Sequence, residues 1–94
     1  MKKMLEVRYS KKFSKDQKLI AKRGYNIQKL KDVIALLRTD KPLPPKYKDH
    51  ALSGNYITYR ECHIEPDWLL VYKIENDTLT LVLSRTGTHS DLFN

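Results

Sequence analysis

The sequence has little of the covalent or apolar material that would place it outside the cell or in a membrane. Its one cysteine, Cys62, has no partner for an internal disulfide and cannot form a cysteine-based zinc cage. Trp68–Tyr72 is an apolar run of five residues and none is longer, whereas a membrane-spanning helix needs about 18. Residues 1–4 are basic but lack the apolar stretch of a signal peptide. We therefore expect a cytoplasmic protein, with Cys62 as a reduced, half-buried strand residue.

The chain also has no internal repeat, no low-complexity linker and no glycine-rich phosphate loop, and it contains only three glycines. None of its histidine pairs has the spacing of the H-E-x-x-H zinc motif. A chain of 94 residues buries about 60–65% of the surface that its unfolded form exposes, which is enough for one core. We therefore predict a single domain over residues 1–94 that uses no metal and no cofactor.

Positive charge is concentrated in the first half of the chain. The net charge is +7, and residues 1–50 contain 15 Lys and Arg against five acidic residues, whereas residues 51–94 contain three against six. A basic lobe attracts a polyanion because phosphates release counterions when they are neutralised. The same charge is equally consistent with a solvated, lysine-rich surface, so it favours a nucleic-acid partner without establishing one.

The basic half is predicted to hold one strand and two helices. The alternating segment Leu5–Tyr9 is typical of a strand. Ser10 is suited to cap a helix over Lys11–Arg23, which Gly24 ends. Asn26 is suited to cap a second helix, which ends at a proline-rich segment and whose apolar residues follow helical spacing: Ile27, Leu30, Val33, Ile34 and Leu37.

Three further strands are predicted after a loop over residues 46–55, namely Tyr56–His63, Trp68–Glu75 and Thr78–Thr86. The middle strand is apolar on both faces, which predicts a central position under the helices. The whole pattern predicts an α+β fold with two layers in the order β-α-α-β-β-β, a helix hairpin packed on a largely antiparallel sheet.

The turns between these strands predict a register. Two-residue turns at Glu65-Pro66 and Asn76-Asp77 place His63 opposite Trp68 and Trp68 opposite Arg85. These three side chains then form one row across the sheet, roughly 10 Å long. A shift of one residue would turn them to the other face.

Other reactive side chains are predicted at the same edge. The register places Asp67 one step from the row, opposite Thr86. His89 and Phe93 follow Arg85 within eight residues and can fold over this edge. Metal-free cleavage of RNA needs proton transfer, which suits His, and a planar donor for phosphate oxygens, which suits Arg. An aromatic side chain can stack on a splayed base.

Each of these side chains also has a structural explanation. Asp67 can cap the Pro66 turn, Arg85 can pair with Glu61 or Glu65, Trp68 can lie in the core, and Phe93 can plug the C-terminus. A zinc site of His50, His63 and His89 is a further alternative. Residue chemistry alone does not separate a nuclease from a nucleic-acid-binding module.

Three segments resemble the YafQ branch of the RelE/ParE toxin superfamily, and the resemblance extends over nearly the whole chain. The segments are Lys48–Gly54, Tyr59–Tyr72 and Arg85–Phe93. Their order and spacing match, as does the C-terminal G-x-H-x-x-L-F ending. The resemblance implies a compact β-α-α-β-β-β toxin that cleaves messenger RNA in the A site of the 70S ribosome and is neutralised by an acidic antitoxin encoded beside it.

The resemblance also implies a catalytic set by position, to whose members we assign roles as a hypothesis. The implied catalytic residues are His50, His63, Asp67, Arg85, His89 and Phe93. His89 would protonate the leaving 5′-oxygen, Asp67 or His63 would take the 2′-proton, and Arg85 would hold the scissile phosphate. His50 would carry a second proton or orient the phosphate, and Phe93 would stack against the substrate or pin the tail.

Further residues outside this set are expected to contact RNA. Lys48 and Trp68 would contact the substrate. The first predicted helix would contact ribosomal RNA through Lys11, Lys12, Lys15, Lys18, Lys22 and Arg23. The toxin alone is expected to be a monomer that forms a larger complex with its antitoxin.

Two other functions remain open at this point. A ParE-like toxin that binds gyrase would share the fold, although such chains generally lack the histidine set. A non-catalytic RNA-binding module would keep its activity when His63 and His89 are both replaced.

Overall fold

The structure, a computed structural model, describes residues 4–93. Residues 1–3 and 94 belong to the predicted domain but lie outside the described residues. Residues 1–3 make up most of the basic segment 1–4, which was considered above as a signal peptide. The strands are β1 (Glu6–Tyr9), β2 (His50–Ala51), β3 (Arg60–Glu65), β4 (Trp68–Glu75) and β5 (Thr80–Gly87). The helices are α1 (Lys11–Lys22), α2 (Ile27–Arg38) and α3 (His89–Phe93), with 3-10 turns at Pro45–Tyr47 and Gly54–Tyr56.

Both predicted helix caps are confirmed. The Ser10 hydroxyl accepts a hydrogen bond from the backbone N–H of Phe13 at 2.9 Å, and the Asn26 amide oxygen accepts one from Gln28 at 3.1 Å. Gly24 ends the first helix with φ of +83°, where a side chain would be strained. Among residues 4–93, none of the helices has the length and apolarity required to cross a membrane.

The sheet has the strand order β1-β5-β4-β3-β2. β1 runs parallel to β5, and the other neighbours are antiparallel. The predicted α+β order and the central place of β4 are therefore confirmed. β2 and α3 were not predicted, because two and five residues are too few to show a periodic pattern.

The two faces of the sheet are covered by different elements. α1 and α2 cover one face with apolar side chains that include Phe13, Ile20, Leu30, Val33 and Leu37. Cys62 lies in this core and is fully buried rather than half-buried. Burial, reinforced by the nearby carboxylates of Asp49 and Glu61, raises the pKa of its thiol to about 12. On the other face, Leu69 and Val71 pack against Leu92 of α3.

The predicted register between β3 and β4 is wrong. The turn is formed by Pro66 and Asp67 rather than by Glu65 and Pro66. His63 consequently pairs with Leu69, and Glu65 pairs with Trp68 after an irregularity between His63 and Glu65. A bulge adds a residue to one strand and so moves every pair beyond it.

The register between β4 and β5 also differs from the prediction. The connection spans residues 76–79 instead of two residues, and Leu79 has φ of +50°. A further irregularity follows Val71, which pairs with Arg85. Trp68 is therefore opposite neither His63 nor Arg85, and Asp67 is not opposite Thr86.

Trp68 lies in the core and is 1% exposed. Its indole N–H donates to the Thr86 hydroxyl at 2.9 Å, and the ring of Tyr25 meets it edge-on at 5.0 Å between centroids. The indole offers no free face to a base. The expectation that Trp68 stacks on RNA is wrong, and the core alternative is confirmed.

Replacing Trp68 by Phe is expected to lower the free energy of unfolding by about 1–3 kcal/mol, because it removes ring volume and leaves the Thr86 hydroxyl without its indole donor. Urea unfolding followed by circular dichroism measures this loss. Leu36→Ala is the control, since Leu36 is exposed on α2. A Trp68→Phe protein as stable as the parent would contradict the buried position.

Candidate active site

The observed register creates a cross-strand row of three polar residues and one valine on the sheet face opposite α1 and α2. His50 pairs with Glu61, Glu61 with Val71, and Val71 with Arg85. Directly paired residues share a face of a sheet, and Val71 belongs to the apolar cluster on the face away from the two helices. A cross-strand row that contains Arg85 therefore exists, but its members differ from those predicted.

Two histidines of this face point at one buried carboxylate. The Nε2 atoms of His50 and His63 lie 3.8 and 3.6 Å from Oε1 of Glu61. The side chain of Glu61 is 4% exposed, that of His63 22% and that of His50 49%. Glu61 was not among the predicted catalytic residues. The sequence did carry a signal for it, because Glu61 precedes His63 by two residues in a predicted strand, so both side chains lie on one face.

The other ring nitrogens of these histidines contact backbone carbonyls. Nδ1 of His50 lies 2.8 Å from the carbonyl oxygen of Lys48, and Nδ1 of His63 lies 3.3 Å from that of Pro66. A carbonyl only accepts, so Nδ1 is the protonated nitrogen in both rings. Nε2 is therefore the atom that can gain or release a proton on the open face.

Asp49 anchors the segment that carries His50. Its carboxylate accepts a hydrogen bond from the hydroxyl of Tyr72 at 2.5 Å and another from Nη2 of Arg60 at 3.0 Å. Because Tyr72 belongs to the core strand β4, these bonds tie the short strand β2 to the centre of the sheet. The three residues Lys48, Asp49 and His50 thus act together to place one imidazole.

His50, Glu61 and His63 are also a possible metal site. One ligand atom from each lies within 4.8 Å of the others, and imidazole nitrogens with a carboxylate oxygen suit zinc or copper. His89 is not part of this group, so the structure brings together a different trio from the predicted zinc alternative. A metal at this position would take both Nε2 atoms.

Arg85 is held by Asp16 of α1. Its Nε donates to Oδ2 of Asp16 at 2.7 Å and its Nη2 donates to Oδ1 at 3.1 Å. This hydrogen-bonded pair raises the pKa of the Arg85 guanidinium. The alternative pairing of Arg85 with Glu61 or Glu65 is wrong. The sequence did carry a signal for Asp16, because it stands between Phe13 and Ile20 on the buried side of α1.

The short helix α3 carries His89 and Phe93. Asp67 accepts a hydrogen bond from the backbone N–H of His89 at 3.2 Å, so the carboxylate caps α3 rather than its own turn. The imidazole of His89 is exposed and lies 5.3 Å from the Phe93 ring. Phe93 is 39% exposed and meets Tyr56 edge-on at 5.9 Å. Phe93 therefore has a free surface beside His89.

Asp91 fixes α3 to the rest of the protein. Its carboxylate accepts hydrogen bonds from Arg23 Nη1 at 2.7 Å and from the backbone N–H of Thr88 at 2.9 Å. The Arg23 hydrogen bond, with those from Thr88, holds the pKa of Asp91 well below its usual range. Arg23, predicted to contact RNA, is bound to this carboxylate. Gly87 has φ of +153°, and a Cβ there would lie 2.9 Å from Oδ2 of Asp91.

The remaining predicted RNA contacts lie on open surface. Lys48 lines a shallow cavity of about 220 Å³ together with Lys46, His63 and Pro66. The exposed side of α1 displays five lysines, Lys11, Lys12, Lys15, Lys18 and Lys22. These side chains are available to phosphates on two surfaces, one at His63 and one along α1.

Comparison with known proteins identifies relatives over almost the whole chain. The model of the family described as "Bacterial toxin of type II toxin-antitoxin system, YafQ" matches residues 5–94. The mRNA interferase toxin YafQ of Escherichia coli strain K12 is 46% identical over 89 residues, which are 94% of this chain and 95% of the relative.

Solved structures agree with this result. A metal-bound toxin from Helicobacter pylori superposes with a TM-score of 0.90 at 50% identity and covers 96% of this chain and all of its own. YafQ in the E. coli DinJ-YafQ toxin-antitoxin complex superposes with a TM-score of 0.88 at 46% identity, covering 97% of this chain and 99% of its own. The chain described here therefore belongs to the YafQ family of bacterial toxins from type II toxin–antitoxin systems.

Proposed function

We propose that this toxin is an endoribonuclease that cleaves messenger RNA on the ribosome, by attack of the 2′-hydroxyl on the adjacent phosphate. The observation that carries the proposal is the open sheet face where two imidazole Nε2 atoms lie within 4 Å of Glu61. Glu61 lies in the same cross-strand row as Arg85. The relatives named mRNA interferase support it.

His63 is the general base in this proposal. Its Nδ1–H is committed to the Pro66 carbonyl, so its Nε2 lone pair is the one that faces the site and can take the 2′-proton. Glu61 lies 3.6 Å from that nitrogen and stabilises the imidazolium that results. His50, oriented in the same way, is the second proton carrier, and a metal on this trio would block both.

His89 is the general acid, and Arg85 binds the phosphate. The His89 side chain is exposed at the start of α3, where it can protonate the leaving 5′-oxygen. Arg85 offsets the charge that develops on the phosphoryl oxygens. Asp67 holds the backbone of His89, and the free surface of Phe93 packs on the substrate.

The basic surfaces of the toxin indicate which partners it binds. The exposed lysines of α1 are suited to ribosomal RNA, and Lys48 beside His63 is suited to a phosphate of the messenger. An acidic antitoxin would neutralise the same basic surfaces, and a YafQ of E. coli has been crystallised with the DinJ antitoxin. Such a toxin acts where ribosomes are, in the cytoplasm, and is a monomer when free. Membership in the YafQ family favours this function over gyrase binding.

Replacing His89 by Ala is expected to slow cleavage by roughly 10²- to 10⁴-fold, because the leaving 5′-oxygen then departs without a proton. The measurement is single-turnover cleavage of a defined messenger on purified 70S ribosomes, with cuts mapped by primer extension. Asp77→Ala is the control, since Asp77 lies in the exposed connection at the far end of β4.

Cleavage by His89→Ala at the parent's rate would contradict the role of His89 as general acid. Equally fast cutting of free RNA without ribosomes would contradict the ribosome dependence. A protein that binds ribosomes but leaves the messenger intact would indicate the RNA-binding module instead.

The Arg23–Asp91 pair predicts how α3 responds to acid. Because the folded pKa of Asp91 is lowered, its stabilising effect is complete above the unfolded Asp pKa of about 3.9. It is lost as the pH falls through the folded pKa. An NMR titration of the Asp91 carboxyl should show a midpoint well below that of an ordinary Asp. In Arg23→Ala the midpoint should move upward, and a parent midpoint near 4 would refute the pairing.

A further inference from the structure

Asp16 is an acidic residue on the buried side of a basic helix. It is 9% exposed and lies between the core residues Phe13 and Ile20, while the lysines of α1 face solvent. A carboxylate removed from water is costly unless polar partners compensate it. The partners are Arg85, which makes two hydrogen bonds, and the backbone N–H of Thr86, which donates to Oδ2 at 3.1 Å.

α1 reaches these partners because β1 stops short. β1 pairs with β5 over Thr80 to Leu83, so within the described part of the chain the end of β5 that carries Arg85 has no neighbouring strand on that side. α1 takes the place of the strand. The Ser10 hydroxyl donates to the Ser84 carbonyl at 2.6 Å, and Asp16 accepts from Thr86. The carboxylate of Asp16 thus holds both the backbone N–H of Thr86 and the guanidinium of Arg85.

The geometry of the pair decides which part of Arg85 remains available. Asp16 binds it side-on, through Nε and one hydrogen of Nη2. No other side chain among residues 4–93 accepts a hydrogen bond from this guanidinium. The two N–H groups of Nη1 and the second of Nη2 therefore form a free end-on fork, and 24% of the side chain is exposed. Such a fork matches two oxygens of a phosphate.

We propose that Asp16 is a positioning residue of the catalytic site, which holds Arg85 side-on so that its end-on fork meets the non-bridging oxygens of the scissile phosphate. This inference rests on the proposed nuclease function. The negative charge of Asp16 weakens the attraction of Arg85 for a phosphate, so its contribution is orientation and not affinity. Its loss should therefore change kcat and leave KM unchanged or lower.

The test is a double-mutant cycle on the intact toxin with 70S ribosomes and a defined messenger. Asp16→Asn keeps the side-chain volume but removes the charge, and is expected to lower kcat roughly 10- to 100-fold. Arg85→Ala should lower kcat at least as much. If Asp16 acts through Arg85, the double variant should be no slower than Arg85→Ala alone, because coupled residues are not additive.

Ser10→Ala is the matched control. It removes the hydrogen bond from the Ser10 hydroxyl to the Ser84 carbonyl and the helix cap on Phe13 without touching Arg85, so it should unfold at a lower temperature and keep the parent's kcat. If Asp16→Asn does not unfold cooperatively, Asp16→Glu replaces it, since a carboxylate displaced by one methylene keeps the charge but misplaces the fork. A lowered kcat with an unchanged or lower KM supports the inference, and the parent's kcat in Asp16→Glu overturns it.

The outcomes separate the two proposals. If Arg85→Ala cleaves as fast as the parent, the proposed role of Arg85 in catalysis fails. If Arg85→Ala is slow but Asp16→Asn cleaves at the parent's rate, only the positioning inference fails. The positioning inference also fails if the effects of the two substitutions on kcat multiply in the double variant, or if Asp16→Asn raises KM without lowering kcat.

Discussion

β4 is buried on both faces, and the rest of the structure depends on that constraint. Leu70 packs against α1 and α2, while Leu69 and Val71 need a cover on the other side. Leu92 of α3 supplies it, with Leu52 and Tyr59. The polar site can therefore lie only around this second, smaller cluster, because the helices fill the first face. Because Leu92 of α3 covers these apolar side chains of β4, α3 also places His89 and Phe93 over the sheet.

α1 contributes to the same site through two ion pairs of opposite polarity. Asp16 holds Arg85 of β5, and Arg23, two helical turns later, holds Asp91 of α3. The two ion pairs place the Arg85 guanidinium on one side of the sheet face and α3, which carries His89, beside it. The lysines on the other side of α1 remain free for a polyanion.

Much of the fold could be predicted from the sequence because caps and periodicity are local signals. Ser10 and Asn26 marked both helix starts, and the bounds of β4 agree with the prediction. Register could not be predicted, because the irregularities after His63 and Val71 leave no trace in composition. The error moved Trp68 into the predicted site and hid Glu61. Asp16 was missed for another reason, since its place between Phe13 and Ile20 on the buried side of α1 was visible but was not used. The resemblance to a known family supplied His50, which strand pairing could not, because its two-residue strand has no periodic signal.

The central claim is that side chains of this face cleave RNA by internal attack of the 2′-hydroxyl. The chemical nature of the product ends tests it most directly. After cleavage on the ribosome, the upstream fragment should end in a 2′,3′-cyclic phosphate and the downstream fragment should begin with a 5′-hydroxyl, as mass spectrometry of the fragments would show. A 3′-hydroxyl with a 5′-phosphate would mean that water attacked the phosphate, as in metal-assisted hydrolysis, and would contradict the account.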